Sequence, residues 1–381
     1  MKISVLLPTR NGGPYLDACM RSVLAQPSRD IELVVSDNAN VDATAGVLRA
    51  ISGDERLVVV RQEGVIPVTD NWNAALEAST GDFILMLGDD DYLMPNAIEL
   101  INEAYAVAGE PECLSFNALS YVFPSAIHGL TVSHYADPHF RYPDRWANGA
   151  ALDAADRLTI VEDMFRFRPR IPLNMQTTLV SRAAAQRLPQ GRLFRAPFPD
   201  HYALNALLLT VSSWAISPIK PLVVGVSPKS FGHFVYSSQQ DAGLSYLGID
   251  TDFPGRLQGN ELINASVIWL RLLKATFPEQ LRGVEVSRGD YVARQVGAWL
   301  REVRLGSLST REALRRGRGL RAADLTATIR LAGDRELVRD VNRRLRMRRG
   351  DRAGNIWKGL VAVPNVRDIA EFAAWAADPA G

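Results

Sequence analysis

The chain has 381 residues, 47% hydrophobic and 22% charged, a balance that suits a globular protein with its own core and excludes a disordered or fibrous one. Its 43 basic and 42 acidic residues leave a formal net charge of +1, which excludes a dedicated nucleic-acid coat and predicts no nucleic-acid partner. The charge is uneven: Arg301 to Arg352 holds sixteen arginines and seven acids, a local +9, against −8 for the remainder.

In chain order, Ile3–Leu7 is a short apolar run stopped by Pro8, as in a buried strand, and Tyr15–Ala25 has apolar residues at helical spacing. Ile31–Val35 predicts a second strand, Ala43–Ile51 a helix and Leu57–Val60 a third strand. Trp72–Ala78 reads as helix, Phe83–Leu87 as a fourth strand and Asn96–Val107 as another helix. Alternating strands and helices predict an α/β fold with a mainly parallel sheet flanked by helices, where ligands gather at the carboxyl ends of the strands. The polar clusters Thr9-Arg10-Asn11, Asp37-Asn38 and Asp89-Asp90-Asp91 fall there.

The stretch Cys113–Phe234 is rich in Pro, His and aromatic residues and is expected to shape an acceptor pocket. It should contain a helix over Ala150–Phe165 and strands at Thr177–Ser181 and Leu222–Val226. From Gln258 the pattern turns helical, with Glu261–Thr276, Asp290–Val303, several Arg-rich helices and a last amphipathic helix at Val366–Ala377. Two cysteines, Cys19 and Cys113, offer neither a disulfide framework nor zinc spacing and point to a reducing compartment. No run is long and apolar enough for a signal core or a membrane span, so a cytoplasmic protein, or one peripheral to the membrane, is expected.

Three adjacent carboxylates after a buried strand repel one another, and a divalent cation such as Mn²⁺ or Mg²⁺ would relieve that cost. The plainer alternative is an acidic turn that caps the following helix. Asp37, just past a strand, can accept from a base or a ribose, or simply shape a turn; Asp42 sits where a helix cap belongs.

Taken together, Pro8-Thr9-Arg10-Asn11, Ser22-Val23-Leu24-Ala25-Gln26, Asp37 to Thr44, Asn71-Trp72-Asn73-Ala74-Ala75-Leu76 and Gly81 to Pro95 resemble the start of family 2 glycosyltransferases. Order and spacing agree over about Ile3 to Leu100. The resemblance implies a GT-A fold and an inverting transferase that takes a nucleotide sugar, with a UDP-sugar the expected donor. It places the domain at residues 1–235, with a donor half at 1–110 and an acceptor half at 111–235, ahead of a helical Arg-rich region at 236–381. It implies that Asp37 reads the nucleobase beside the Pro8, Thr9, Arg10 and Asn11 loop, with Asn38, Asn71, Asn73, Asp89 and Asp90 also on the donor. Asp89 and Asp91 would hold the cation on the sugar diphosphate. The family usually reads Asp-x-Asp-Asp after the fourth strand, and its first Asp is Gly88 here.

Such enzymes carry an acidic residue at the start of a later helix as the base. Asp200 in Pro199-Asp200-His201 fits that position, with His201 a chemical competitor and a plain cap the alternative. Asn174 and Gln176 would face the acceptor, a carbohydrate or a lipid-linked one, while Lys229 or His233 would reach the diphosphate. Ser227 stands where many relatives have a His. Surface polysaccharide synthesis is the expected setting. Two other readings stay open: a sugar-phosphate nucleotidyltransferase, disfavoured by the scarcity of basic residues in Pro8–Pro14, and an inactive carbohydrate-binding scaffold, suggested only by Gly88.

The Arg-rich region is either a solvated surface that pairs with its own acids or a docking surface for anionic lipid or another subunit, as in a homo-oligomer. Ile356, Trp357, Leu360, Val361, Val363, Phe372 and Trp375 would insert shallowly into a membrane, pack on the body or pair subunits.

Overall fold

The four early apolar runs become parallel strands β1 (Ile3–Thr9), β2 (Ile31–Asp37), β3 (Leu57–Arg61) and β4 (Phe83–Met86). The structure, a computed structural model, describes residues 1–127, 130–230, 252–305, 308–331 and 359–377. Between the strands run α1 (Gly13–Leu24), α2 (Thr44–Ile51) and α3 (Val68–Ala78). A two-residue strand β5 (Tyr92–Leu93) and α4 (Ala97–Val107) follow β4.

The acceptor half adds β6 (Cys113–Phe116), β7 (Leu119–Val122), β8 (His134–Ala136), the short α5 (Asp144–Ala147), β9 (Ala150–Ala151) and α6 (Ala154–Phe165). A single 3₁₀ turn (Met175–Thr177) then leads into β10 (Thr178–Ser181), α7 (Arg182–Gln186), α8 (Pro199–Thr210), β11 (Trp214–Ser217) and β12 (Leu222–Val226). The helix expected over Ala150–Phe165 starts only at Ala154. Asp153 caps it by accepting from Asp156 N, and Ala150–Ala151 pairs instead at the sheet edge.

The main sheet has the order β3-β2-β1-β4-β10-β6-β11-β9. β10 is antiparallel to both β4 and β6, and β11 is parallel to β6, so β6 and β11 run the same way as β1 to β4. The chain steps outward from β1 to β3 and then returns to the other side of β1 with β4. That reversal opens a crevice between β1 and β4 at their carboxyl ends.

Alternation along the strands sends side chains to two cores. Val5, Leu7, Leu33 and Leu85 meet Leu16, Met20, Val23, Ile98 and Ile101 on one face. Leu6, Val34, Ile84 and Met86 meet Ala75, Val161, Tyr202, Leu207 and Trp269 on the other. At the amino edge Glu32, 7% exposed, ties β2 to β1 and to the turn before β4. It accepts from Lys2 Nζ (2.7 Å), Ser4 Oγ (2.6 Å), Thr80 Oγ1 (2.7 Å) and Gly81 N (3.1 Å).

Beyond this body lie α9 (Glu261–Thr276), α10 (Arg288–Leu305), α11 (Thr310–Gly317) and α12 (Ala322–Leu331). They close around Leu257, Val267, Tyr291, Val292 and Trp299.

A second sheet, β13-β8-β7-β12-β5, draws its edge strand β13 (Val361–Ala362) from the far end of the chain. The last helix, α13 (Ile369–Ala377), follows it, and Phe372, fully buried, lies against Tyr121 (5.2 Å between ring centroids) and Tyr135 (5.5 Å). Residues 359–377 therefore cross the expected boundary at residue 235 and pack on the second sheet. Of the tail residues assigned to shallow insertion, Val363 and Phe372 are buried inside the protein, whereas Val361 and Trp375 are 50% and 37% exposed. Ile356 and Trp357 lie outside the described residues. Among the described residues no helix is long and apolar enough to cross a membrane.

Candidate active site

The acidic triplet leaves β4 and drops into the crevice beside β1. Leu87 N donates to Leu6 O, which keeps the two strands together until the turn begins. The three carboxylates then have different surroundings. Asp91, 1% exposed, accepts from Gly88 N (2.6 Å) with one oxygen and from Gly225 N on β12 (2.9 Å) with the other. Asp90 Oδ2 accepts from Ser227 N (3.2 Å) and Ser230 Oγ (2.6 Å) in the turn after β12. Asp89 Oδ2 accepts from Thr9 Oγ1 (2.8 Å) at the end of β1. Asp89 Oδ1 and Asp90 Oδ1 have no hydrogen-bond partner among the described residues.

Burial, then the neighbouring Asp90, raises the Asp89 carboxyl to about 7. The same two causes raise Asp91 well above the ordinary carboxylate range, against the pull of its two backbone donors. Lys229, exposed in the Ser227–Ser230 turn, is the cation whose field reaches both Asp89 and Asp42. Among the described residues no three His, Cys, Asp or Glu side chains form a cluster able to hold a metal alone. The donor set does fit a hard cation that takes its remaining oxygens from phosphate and water. It offers two unpartnered carboxylate oxygens on side chains that burial and mutual repulsion leave in need of positive charge. Asp91, also expected as a ligand, accepts one backbone N–H on each oxygen and so anchors the loop as well.

Glycines make this approach possible. A Cβ at Gly12 would sit 2.1 Å from Asp89 Oδ2, and one at Gly225 would sit 1.8 Å from Asp90 O. At Gly88, the departure from the family pattern, a Cβ would come within 3.0 Å of Asp90 Oδ1 and 3.2 Å of Asp91 Oδ2. Beneath the loop, the buried Cys19 donates to Gly88 O (3.3 Å). Tyr15 on α1 is close enough for Asp90 and Asp89, after burial, to raise its hydroxyl. Gly12, Tyr15 and Ser230 were not singled out from the sequence, and only the Gly12-Gly13-Pro14 signal at a helix start hinted at one of them.

Next to the crevice, Pro8 and Thr9 pair in register with Ser36 and Asp37. Asp37, 2% exposed, accepts from Asn40 N (2.9 Å) and Asn40 Nδ2 (2.6 Å), and its other oxygen lies 3.7 Å from Arg61 Nε. Asn40 Oδ1 receives Asn11 N, which ties the two loops together. Arg10 Nη1 donates to Ala39 O (2.6 Å), and Asn11, at φ 55°, receives Val41 N on its side chain (3.1 Å). Asp42 receives Gly13 N (2.9 Å) and the Thr44 backbone N–H (3.1 Å) and hydroxyl (2.6 Å), so it joins the starts of α1 and α2.

Several residues expected on the donor instead hold this frame. Asn38 exchanges two hydrogen bonds with the backbone of Ile66, Asn71 accepts from Ser36 Oγ (2.7 Å), and Asn73 donates to Phe194 O (3.1 Å).

The acceptor-side residues come to the same edge by topology. Because β10 is antiparallel to β4, with Val180 opposite Ile84, residues 174–177 lie past the carboxyl end of β4. There Asn174 caps the 3₁₀ turn by accepting from Gln176 N (2.9 Å). α8 ends just before β11 begins at the amino edge. Its first residues therefore lie about 18 Å away toward the carboxyl edge. Asp200 sits in that first turn, and its Oδ1 accepts from His201 Nδ1 (3.1 Å). The surrounding protein disfavours the charge on both, although the His201 side chain is 48% and that of Asp200 29% exposed, and each charge outweighs this in the other: Asp200 is held below the ordinary carboxylate range and His201 above the ordinary imidazole range. The His201 ring lies between Phe198 (5.5 Å) and Trp269 (5.9 Å). His233 lies outside the described residues.

Residues 4–109 match the model described as glycosyl transferase family 2. Over 111 residues the chain is 31% identical to GalNAc(5)-diNAcBac-PP-undecaprenol beta-1,3-glucosyltransferase of Campylobacter jejuni, a match covering 28% of this chain and 36% of that protein. It is 30% identical over 98 residues to chondroitin synthase of Pasteurella multocida, covering 26% of this chain and 10% of that one. The alignments thus span about a third or less of these relatives. Among solved structures, S. aureus TarS 1–349 in complex with UDP-GlcNAc aligns at 15% identity and a TM-score of 0.49, over 98% of this chain and 90% of that one. The matched segment, residues 4–109, carries the switch-point crevice and its acidic triplet, and it is this part of the chain that is similar to glycosyl transferase family 2.

Proposed function

We propose that the protein is an inverting glycosyltransferase that moves a sugar from a UDP-sugar to an acceptor hydroxyl, with a carbohydrate or a lipid-linked glycan as acceptor and surface polysaccharide as the setting. The observation that carries the reading is the crevice between β1 and β4, where Asp89 and Asp90 each keep one oxygen without a hydrogen-bond partner among the described residues and the charge of Lys229 reaches Asp89. Asp89 and Asp90 would hold Mg²⁺ or Mn²⁺ there, and the ion would offset the negative charge of the diphosphate. Lys229 supplies further positive charge to the same group. The Asp37–Asn40 corner and the Thr9–Asn11 loop form the rim for the nucleoside. Asp200 takes the proton of the acceptor hydroxyl as that oxygen attacks the anomeric carbon, and the bond to the diphosphate breaks with its electron pair leaving on the diphosphate. His201 keeps Asp200 ionised while it waits.

Titration with UDP in Mn²⁺ and again in EDTA, followed by transfer assays with UDP-, GDP- and dTDP-sugars, tests the reading. Tight binding of UDP only with the metal, and transfer from one UDP-sugar, is the expected result. Undiminished transfer in EDTA overturns the metal assignment, and pyrophosphate release from a sugar phosphate plus UTP overturns the transferase.

A further inference from the structure

We infer that α11 presents a docking face for an anionic lipid surface. The inference stands apart from the reading of the crevice, because none of its residues belongs there.

α11 has two unlike sides. Ala313 turns inward to the core around Trp299, as does Leu320 just beyond the helix. Leu314 points away and is 71% exposed, the most exposed leucine of this region. Arg311 and Arg318, three residues before it and four after, lie on the same side of the helical path and are exposed. Neither has an ionic partner among the described residues. The acids nearby are already engaged: Glu312 with Arg315 (2.7 Å) and Arg316 (3.6 Å), Glu302 with Arg316 (3.3 Å), and Asp324 with Arg288 through both oxygens (2.9 Å each). The bland account, an Arg-rich surface neutralised by its own acids, therefore holds for Arg315 and Arg316 but leaves Arg311 and Arg318 over. On α12 Leu325 is 53% exposed, with Arg321 one turn before it lying within reach of Asp324.

An exposed leucine bracketed by arginines suits the boundary of a bilayer. The leucine enters the headgroup layer while the guanidinium groups remain at the phosphates. A second copy, with a net −8 outside the Arg-rich stretch, is the competing occupant, and sedimentation separates it from a lipid surface.

α10, on which α11 packs, begins near the carboxyl edge of the main sheet. α6 starts at the amino edge, where Arg157 donates to Leu152 O (2.7 Å) and Val211 O (2.9 Å), and runs toward the carboxyl edge. At its far end Phe165 O accepts from Ser287 N (3.0 Å), just before α10 begins. The helical bundle thus joins the body on the side that bears the crevice.

Flotation of the full-length protein with phosphatidylcholine vesicles, with and without phosphatidylglycerol, at low and high salt, tests the inference. Binding is expected only with phosphatidylglycerol, and it should weaken as the salt shortens the screening length. The double variant R311Q/R318Q should partition roughly 30-fold less, from about a fivefold effect per basic residue near the surface. Leu314→Ser should weaken binding at both salt concentrations alike. All these side chains are exposed, so each variant should keep the parental melting curve. Failure to float with phosphatidylglycerol at low salt, or equal flotation of R311Q/R318Q and the parent, overturns the inference. A shift of sedimentation from dimer to monomer in R311Q/R318Q would overturn it in favour of a second copy.

Discussion

One methyl group at Gly12 should disable the crevice without unfolding the protein. The Gly12 backbone, at φ −81° and ψ −1°, is open to any residue, so alanine adds no backbone strain. Its Cβ would fall 2.1 Å from Asp89 Oδ2 and 2.5 Å from Thr9 Oγ1, distances that no real methyl group sustains. Asp89 is the mobile partner and must rotate away, which breaks its 2.8 Å hydrogen bond from Thr9. A hydrogen bond to a charged group contributes about 1.5–3 kcal/mol, so binding of UDP with Mn²⁺ should weaken roughly 10- to 150-fold. Overpacking at the start of α1 should lower stability by about 1–3 kcal/mol, which a chain of this size tolerates. Calorimetric titration with UDP and Mn²⁺ measures the first quantity and thermal melting the second. Thr9→Val supplies the companion measurement, because it removes the hydroxyl without adding bulk and should give the smaller loss of the two. If G12A binds UDP and Mn²⁺ like the parent, Asp89 has no part in the donor site and the reasoning fails.

Other expectations concern the base, the acid-sensitive edge and the chain end. Asp200→Asn should lower the rate about 10²–10⁴-fold with little change in UDP affinity. His201→Asn should shift the acid limb of the pH–rate profile to higher pH, since the neighbour that holds Asp200 ionised is gone; an unmoved limb would remove His201 from that role. Burial alone would raise Glu32, but Lys2, Ser4 and Thr80 hold its carboxyl at about 2 against an ordinary value of 4.5. A depressed carboxyl stabilises the fold fully above its unfolded pKa and loses that contribution as pH falls through the folded one. Glu32→Gln should therefore cost on the order of 3 kcal/mol at neutral pH, with parent and variant converging near pH 2 in denaturant titrations. Phe372→Ala should cost about 3–5 kcal/mol by melting, because its ring is fully buried against Tyr121 and Tyr135. Deletion of residues 359–381, which the sequence alone would place far from the donor half, should likewise expose the second sheet and weaken UDP binding.

The parts legible in the sequence are those written in short-range pattern. Ile3–Thr9, Ile31–Asp37 and Phe83–Met86 are buried on both sides of the sheet and so read as mainly apolar runs, while α1, α4 and α9 show their helical period. The carboxyl ends of those strands follow from the fold class, which is why Thr9, Asp37 and the acidic triplet could be named together. What lay beyond reading depends on pairing across distance. Nothing near Asp91 announces that Gly225 N, 134 residues away, donates to one of its oxygens and makes Asp91 an anchor of the loop. The partnership of Asp90 with Ser230 is equally remote in sequence, as is the return of Val361 and Phe372 to the sheet built by Leu119–Ala136. Three adjacent aspartates are chemically alike until backbone N–H groups, hydroxyls and burial are distributed among them. The register of β12 against β5 and β7 makes that distribution, and only the folded chain contains it.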